Sequence, residues 1–470
     1  MTATTPGGAA TGQAVLEVIN PATGRCIAEV PECTPAELDE AFATAAAAQP
    51  AWAADEASRR ALLRDLAQAI PAAADELVPL LSSETGKPSA LPEQEVMAAR
   101  MWLDWLAGVE IPTELLADDA QARIEVQRRP LGVVAAITPW NFPISSLVCK
   151  IGPALRAGNT VVAKSSPFTP LAARKLGEVM NEILPPGVVQ IIAGGDHLGE
   201  LMSRHPVPRK VSFTGSISAG KAVAASAGRD LKRVTLELGG NDAAILLDDV
   251  DIDTIVPAVL ARAFFNTGQT CAIPKRIYAP AAIYDEVVDA FGAAADAIKL
   301  GTGPDAQMGP LSTRPQFERV CELVAETIAA GASAIAGGGP VEGDGFWFQP
   351  TILTGTRDEQ RIVAQEQFGP ALPILRYDSI EEALSRANAT MYGLCGSVWG
   401  ADTARARDVA VGLECGVAYV NSHGVHRPSS PMLGSKWSGV GVEHGVAGLL
   451  EFTERQVVFE APAPISVAIA

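Results

Sequence analysis

The sequence predicts an α/β fold built on a parallel, doubly wound sheet with helices on both faces. Short apolar, β-branched runs recur at residues 131–138, 160–164, 188–192, 210–213 and 234–238, the texture of strands buried on both faces. Helical stretches separate them, and strands alternating with helices imply parallel pairing. A second alternating run covers roughly residues 243–452, so the 470-residue chain is expected to hold two large α/β units and a small appendage.

Residues 1–12 are rich in Thr, Ala and Gly and lack a basic region followed by an apolar core; they read as a short floppy terminus rather than a signal peptide. Residues 35–108 read as mostly helical, with apolar residues at helical spacing over 57–80 and Pro71 marking a break. Over 110–129 the pattern loosens, and the alternation around Ile124 and Val126 suggests a surface strand or hairpin. Thr169-Pro170 predicts a helix start, with Thr169 as cap and Pro170 in the first turn. Ala172, Leu176, Val179, Met180 and Ile183 then share one helical face, and Pro185-Pro186 stops the helix. A further helix follows Ser216. Residues 455–459 are strand-like and lie past the second unit, where a leftover strand pairs with another element or another subunit.

Bulk properties exclude several functions. Hydrophobic residues make up 48% and charged residues 19% of the chain, as in a protein with a large core. The formal charge of −18 disfavours nucleic acid and anionic lipid as partners. No run reaches the ~18–20 apolar residues of a membrane helix. The seven cysteines (Cys26, Cys33, Cys149, Cys271, Cys321, Cys395, Cys415) are scattered and without CxxC spacing. That argues against a disulfide framework or a metal site, and for a reducing cytoplasm.

Four segments carry candidate chemistry. In Asn266-Thr267-Gly268-Gln269-Thr270-Cys271, a cysteine follows a turn that can aim backbone N–H groups at one spot. It reads either as a nucleophile, whose thiolate a positive potential would favour, or as a small buried hydrophobe. Asn141, in Pro139-Trp140-Asn141-Phe142-Pro143, is stiffly held; it suits an oxyanion donor or a loop amide satisfying nearby backbone. Glu237 ends an apolar run against Gly239-Gly240, and is either a general base of raised pKa or a strand glutamate on an exposed edge. Phe213-Thr214-Gly215-Ser216 with Gly220, and Gly194-Gly195 with Gly199, are strand-to-helix turns. They suit a pyrophosphate or are ordinary turns, since GxGxxG is absent.

Together these residues resemble the NAD(P)+-dependent aldehyde dehydrogenase superfamily. The likeness runs from Asn20-Pro21-Ala22-Thr23-Gly24 to the glycine-rich segment 434–441. Its most specific parts are residues 139–143, 236–241, 268–271 and Glu366-Gln367-Phe368-Gly369-Pro370, with Cys271 lying 34 positions after Glu237. The resemblance implies a Rossmann-like cofactor domain (1–109 and 130–239), an α/β catalytic domain (240–452) and a small β-flap (110–129 and 453–470) that joins subunits into a homodimer or homotetramer. It implies oxidation of an aldehyde to the acid through a thiohemiacetal and a thioester on Cys271, with Asn141 stabilising the oxyanion and Glu237 activating water. By the same resemblance Lys164 meets the adenosine ribose, Ser216 the pyrophosphate, Glu366 the nicotinamide ribose and Phe368 packs beside it, while Trp140, Gly195 and Gly215 enclose the cofactor. Phe142, Ser145, Cys149, Phe265, Thr270, Ala272 and Met432 match the aldehyde tunnel.

The sequence departs from the family in three places. Pro167 stands where NAD+-preferring members often carry a glutamate, which leaves NADP+ admissible beside NAD+. Met432 replaces a common aromatic, and several tunnel positions are small, which points to a bulky or aromatic aldehyde. The segment His423-Gly424-Val425-His426-Arg427 reads as a solvated loop, or as one that brings Arg427 to the tunnel mouth to pair with a substrate carboxylate. A cysteine hydrolase would have no use for Lys164, Glu366 and Phe368; a CoA-acylating relative usually lacks the Glu237 equivalent; an idle scaffold sits poorly with Cys271 and Asn141 both in place.

Overall fold

The computed structural model describes residues 14–462; the terminus read as floppy (1–12) and the last residues of the expected flap (463–470) lie outside the described residues. The described chain opens on a hairpin, Val15–Asn20 with Arg25–Pro31, in a stretch that the sequence left unassigned because its strands are polar and largely solvent-facing. Four helices follow: Pro35–Ala54, Glu56–Ala72, Ala74–Thr85 and Ala90–Gly108. Thr34 and Glu37 form a reciprocal capping box on the first. The expected break at Pro71 falls two residues later. Pro71 sits in the last turn, and the chain parts at Ala73, whose N–H still bonds back to Ala69 and Ile70.

Five parallel strands make the first sheet, in the order Arg233–Glu237, Lys210–Thr214, Val133–Ile137, Thr160–Ser165, Val189–Ala193. The order reverses between Val133–Ile137 and Lys210–Thr214, so a crevice opens at their carboxyl ends. A second sheet carries six parallel strands and one antiparallel edge: Ser333–Ala336, Thr351–Thr354, Ala371–Tyr377, Pro274–Pro280, Asp242–Leu246, Cys395–Trp399, Val417–Val420. One expected boundary needs correction. Residues 240–452 were expected to form a single unit, but Gly439–Val440 returns to the first sheet and pairs antiparallel with Leu236 and Glu237. Leu449 and Phe452 also join the core of the first half. Such a return is decided by tertiary packing and has no local sequence signal.

The strand beyond the second unit, Thr453–Glu460, pairs antiparallel with Arg123–Pro130, which pairs with Glu114–Asp118. This three-stranded sheet exposes Leu115, Leu116, Val457 and Phe459.

The helix expected to be capped by Thr169 is capped otherwise. Pro170 occupies the cap position with near-helical dihedrals, and the first N–H groups of Leu171–Ile183 (Leu171 and Ala172) donate to the Glu84 carboxylate at 2.7 and 3.1 Å. The helix Pro143–Arg156 is served the same way: Ile144 and Ser145 N–H donate to Glu95 at 2.8 and 3.1 Å. A carboxylate suits the positive end of a helix. Glu95 is neutralised by Lys87 at 2.5 Å, both side chains fully buried. Burial pushes Glu84 up to about 8 and pulls the Lys87 ammonium down.

Candidate active site

Three strand ends of the first sheet converge on one point. The segment after Val133–Ile137 delivers Trp140 and Asn141, Lys210–Thr214 ends at Thr214, and Arg233–Glu237 ends at Glu237. Residues 238–241 then carry the chain into the second sheet at Asp242. The glycines in that crossing are required by close approach: a β-carbon at Gly239 would collide with the Glu366 carboxylate, and one at Gly240 with the Cys271 carbonyl.

Cys271 faces these ends from the entry to strand Pro274–Pro280. The loop before it is strained and over-determined. Asn266 and Thr267 hold φ of 51° and 60°, a left-handed conformation that side chains rarely adopt. Gly268 continues it, where a β-carbon would meet the Gly369 carbonyl. Side chains lock the turn. Asn266 Nδ2 donates to the Asn141 carbonyl at 3.2 Å, Gln269 Nε2 to the Asn266 carbonyl at 3.1 Å, and Thr267 Oγ1 to the Gly309 carbonyl at 3.1 Å. Asn141 Nδ2 donates to the Gln269 carbonyl at 2.9 Å, which fixes the amide beside the thiol.

The electrostatics differ from the expectation of a depressed thiol pKa. Burial and then the Glu237 charge push the Cys271 thiol well above its ordinary range, against the pull of Lys275. Burial, reinforced by Glu443, pushes Glu237 up to about 8. The Glu237 Oε1 atom is buried with no hydrogen-bond partner, as a group waiting for a proton or a water would be. At neutral pH the resting pair is thiol and carboxylic acid, and the two titrate together.

Asn141, Thr214, Glu237 and Cys271 line two cavities, one on either side. The first, of ≈ 460 Å³, is walled by Trp140, Gly215, Ser216, Glu366 and Phe368, with Gln316, Arg319 and Tyr392. Trp140 and Phe368 meet edge to face at 5.5 Å. Ser216 caps the helix Ile217–Gly228 by accepting from Ala219 N–H, and the first residues of that helix, Ile217 and Ser218, line the cavity. Glu366 is engaged from inside: Lys275 Nζ lies 3.0 Å from it and also donates to the Cys271 carbonyl at 2.5 Å.

Lys164 and Gly195 do not line this cavity. Lys164 Nζ donates to the Ser165 and Gly194 carbonyls at 3.0 and 2.6 Å, and burial pulls it down to about 8. The Gly195 N–H donates to Glu32 at 2.6 Å. Both sit further out along the same sheet edge.

The second cavity, of ≈ 270 Å³, has all seven expected tunnel residues in its wall: Phe142, Ser145, Cys149, Phe265, Thr270, Ala272 and Met432. Sequence reasoning missed Trp102, Arg262 and His444, which come from distant segments and carry no local signal, while His426 lies in the 423–427 segment that it singled out without giving the histidine a role. Arg427 is not in the wall and is exposed, so the pairing imagined for it is not supported by its placement. His423 is fully buried between Ser397 (2.9 Å) and Asp242 (3.1 Å), which seats the loop so that Gly424 packs on the Ala272 carbonyl. Among the described residues no group of three or more His, Cys, Asp or Glu is placed to hold a metal, and no helix is long and apolar enough to cross a membrane.

A cysteine and a carboxylate at the junction of a dinucleotide-sized cleft and an apolar pocket, on a doubly wound scaffold, define an oxidoreductase that works through a covalent acyl intermediate. The comparisons narrow this. The model of the aldehyde dehydrogenase family matches residues 9–458. The lactaldehyde dehydrogenase of Escherichia coli K12 is 36% identical over 457 residues, 95% of each chain. The phenylacetaldehyde dehydrogenase of Pseudomonas fluorescens is 37% identical over 460 residues, 93% of this chain and 91% of that one. Among solved structures, PnpE in complex with nicotinamide adenine dinucleotide superposes with a TM-score of 0.94 at 34% identity, covering 97% of this chain and 96% of that chain. The chain belongs to the aldehyde dehydrogenase family. It is an NAD(P)+-dependent enzyme that oxidises an aldehyde to the carboxylic acid.

Proposed function

We propose that Cys271 is the nucleophile, Glu237 the general base and Asn141 the oxyanion donor. The observation that carries this assignment is that Cys271 and Glu237, each shifting the other, sit where the two cavities meet. Glu237 takes the thiol proton, and the thiolate adds to the aldehyde carbon that enters from the 270 Å³ side. The Asn141 amide and the Cys271 backbone N–H stabilise the oxyanion of the thiohemiacetal. Trp140, Ser216, Glu366 and Phe368 would hold NAD(P)+ in the 460 Å³ cleft, where it would supply the hydride acceptor that oxidation of the thiohemiacetal to the thioester needs. Glu237 gives the thiol proton to solvent, then removes a proton from the water that adds to the thioester, and the carbon–sulfur bond breaks to release the acid and the Cys271 thiolate. The cleft fits that cofactor: a helix start at Ser216 for the pyrophosphate, a Trp140–Phe368 corner, and Glu366 within it for a ribose hydroxyl.

NAD+ is the preferred form, with NADP+ admitted because Pro167 brings no carboxylate. Asp196 and Glu32 both act electrostatically on Lys164, so a 2′-phosphate near that lysine meets two negative groups. A kcat/KM ratio above ~100-fold in favour of NADP+ would overturn the preference. The substrate is a bulky or aromatic aldehyde, in keeping with the ring-rich wall and with the relative named phenylacetaldehyde dehydrogenase. Residues 110–129 and 453–460 form a flap whose exposed Leu115, Leu116, Val457 and Phe459 join copies into a homodimer or homotetramer, to be checked by light scattering after size exclusion. Of the described residues, the cofactor domain comprises 14–109 and 130–239 with the returning segment near 439–452, and the catalytic domain the residues between. Seven cysteines without a disulfide fit a cytoplasmic home.

The deciding experiment is reduction of NAD+ and NADP+ with aliphatic, aromatic and carboxylated aldehydes, with Cys271→Ala as control. Turnover that vanishes in the variant supports the assignment. Ester hydrolysis that depends on Cys271 with no aldehyde oxidation would replace it by a hydrolase.

A further inference from the structure

The wall of the inner cavity mixes apolar side chains with groups that can hydrogen-bond. Trp102, Phe142, Phe265 and Met432 supply the apolar wall. Arg262, His426 and His444 supply hydrogen-bonding groups in the same wall, and none of the three has a hydrogen-bond or ion-pair partner among the described residues. Arg262 is half-buried, and a guanidinium in a cavity wall with no side-chain partner is a place where a ligand carboxylate can complete the pairing.

The remaining charges in the cavity cancel or vanish. Glu443 is held by Lys150 at 2.5 Å, and that pairing keeps its carboxylate below the ordinary range despite burial. Glu237 is pushed up to about 8 and is largely neutral at pH 7. Arg262, in the last turn of helix Ile252–Ala263, is the cation of this wall that no carboxylate pairs among the described residues. The imidazoles add donors without adding charge. His444 packs on the Trp102 indole at 4.1 Å and on His426 at 6.1 Å, and burial pulls it down to about 4. Its backbone is strained as well, with φ 62° and ψ 169°, a conformation a histidine holds only where its surroundings force it.

We infer that this enzyme is built for aldehydes with a ring-sized apolar body and a carboxylate at the far end, the carboxylate paired with Arg262 and hydrogen-bonded by His426 and His444. The inference rests on the dehydrogenase reading of the site and adds the substrate class to it. It moves the anion-pairing role that the sequence suggested for Arg427 to a residue that lines the cavity.

The test compares kcat/KM for 4-carboxybenzaldehyde and 4-methylbenzaldehyde, which share shape and differ in charge. The wild-type enzyme is expected to favour the carboxylated aldehyde by ~10- to 100-fold, the range of one charge-assisted hydrogen-bonding pair. Arg262→Gln should collapse that preference through KM for 4-carboxybenzaldehyde, bringing the ratio of the two kcat/KM values toward 1; Arg262→Lys should restore part of the ratio. His444→Phe should lower the preference by a smaller factor. Cys271-dependent oxidation of 4-methylbenzaldehyde with no carboxylate preference, or a preference indifferent to Arg262→Gln, overturns this inference alone. Oxidation of neither aldehyde, nor of any in the wider panel, overturns the reading on which it rests.

Discussion

The two cavities that meet at Cys271 are built by different means. The cofactor side is framed by strand ends and turn backbone: the Gly215-Ser216 turn, the Leu238-Gly239 crossing and the start of helix Ile217–Gly228. The aldehyde side is framed by side chains, and these come from helix Ala90–Gly108, helix Pro143–Arg156, the end of helix Ile252–Ala263 and two segments beyond residue 420. Backbone geometry is set by the fold, so the first cavity serves any substrate that the scaffold accepts. Side chains vary freely on such a scaffold, so the second cavity decides which aldehyde enters. The reaction class is thus written in the sheet and the specificity in residues far apart along the chain.

The largest effect is expected where the cavities join. Glu237→Gln should lower kcat by ~10²- to 10⁴-fold, the usual contribution of a positioned base, with cofactor affinity unchanged by fluorescence titration. The base must be ionised to act. Because Glu237 is pushed up to about 8, wild-type activity should rise as pH climbs from 7 through 8, and the variant should lose that limb. Stability runs the other way. Between the unfolded carboxyl range and about 8 the folded state holds a proton that the unfolded state has lost, so stability falls as pH rises through that window. Glu237→Gln removes the penalty and should raise Tm more at pH 8 than at pH 5. A flat pH profile in the wild-type enzyme would break the link between burial and base.

The next effect tests whether the aldehyde wall depends on buried tertiary contacts. Glu95 holds the start of the helix that follows Phe142, and Lys87 balances its charge while lying 4.1 Å from the centre of the Phe142 ring. Lys87→Met leaves a buried carboxylate without its cation, which costs about 3–5 kcal/mol on removing one partner of such a pair. Thermal unfolding should show the loss, and in the surviving enzyme KM for aldehyde should rise more than KM for cofactor. The opposite order would show that the pair serves the cofactor side instead.

Asn141→Ala comes third. The amide donates to the Gln269 carbonyl and lines both cavities, so removing it loosens the cysteine loop and deletes one oxyanion donor. A fall in kcat of ~10²- to 10³-fold is expected, with little change in either KM. A loss confined to KM for aldehyde would make Asn141 a wall residue only.

How much of this was legible in the sequence follows the same division. The strands at 131–138, 160–164 and 234–238 are continuous apolar runs, and their alternation with helices gave the parallel sheet directly. Asn141, Glu237 and Cys271 lie in short, distinctive segments, so the chain itself brings their neighbours along. The Thr169 cap was misread because the group that serves the helix start, Glu84, lies 87 positions away. Arg262, Trp102 and His444 were invisible for the same reason: each is unremarkable in its own helix or loop and acquires meaning only from its partners across the cavity. Lys164 lies within strand Thr160–Ser165 and Gly195 follows strand Val189–Ala193, and the side chain of one and the N–H of the other turn toward protein partners.

The smallest effect sharpens the comparison from the cofactor side, where one side chain does matter. Burial pulls the Lys275 ammonium down, but Glu366 and Asp242 outweigh it and keep it charged. It ties Glu366 to the Cys271 carbonyl, and so ties the cofactor wall to the nucleophile's own backbone. Lys275→Met keeps the apolar stem and removes the tie. Glu366 retains the Gly240 N–H at 3.1 Å, so the carboxylate stays in the cleft but loses its second anchor and its counter-ion. KM for NAD+ should rise by ~3- to 10-fold, the range of one modest hydrogen bond, with a smaller change in KM for aldehyde. Burial already raises Glu366, and loss of the cation raises it further, so the NAD+ affinity of the variant should weaken as pH falls toward 6 while that of the wild-type enzyme holds. If the variant instead alters aldehyde KM first, Lys275 acts through the Cys271 loop, and the two cavities are coupled more tightly than their separate walls suggest.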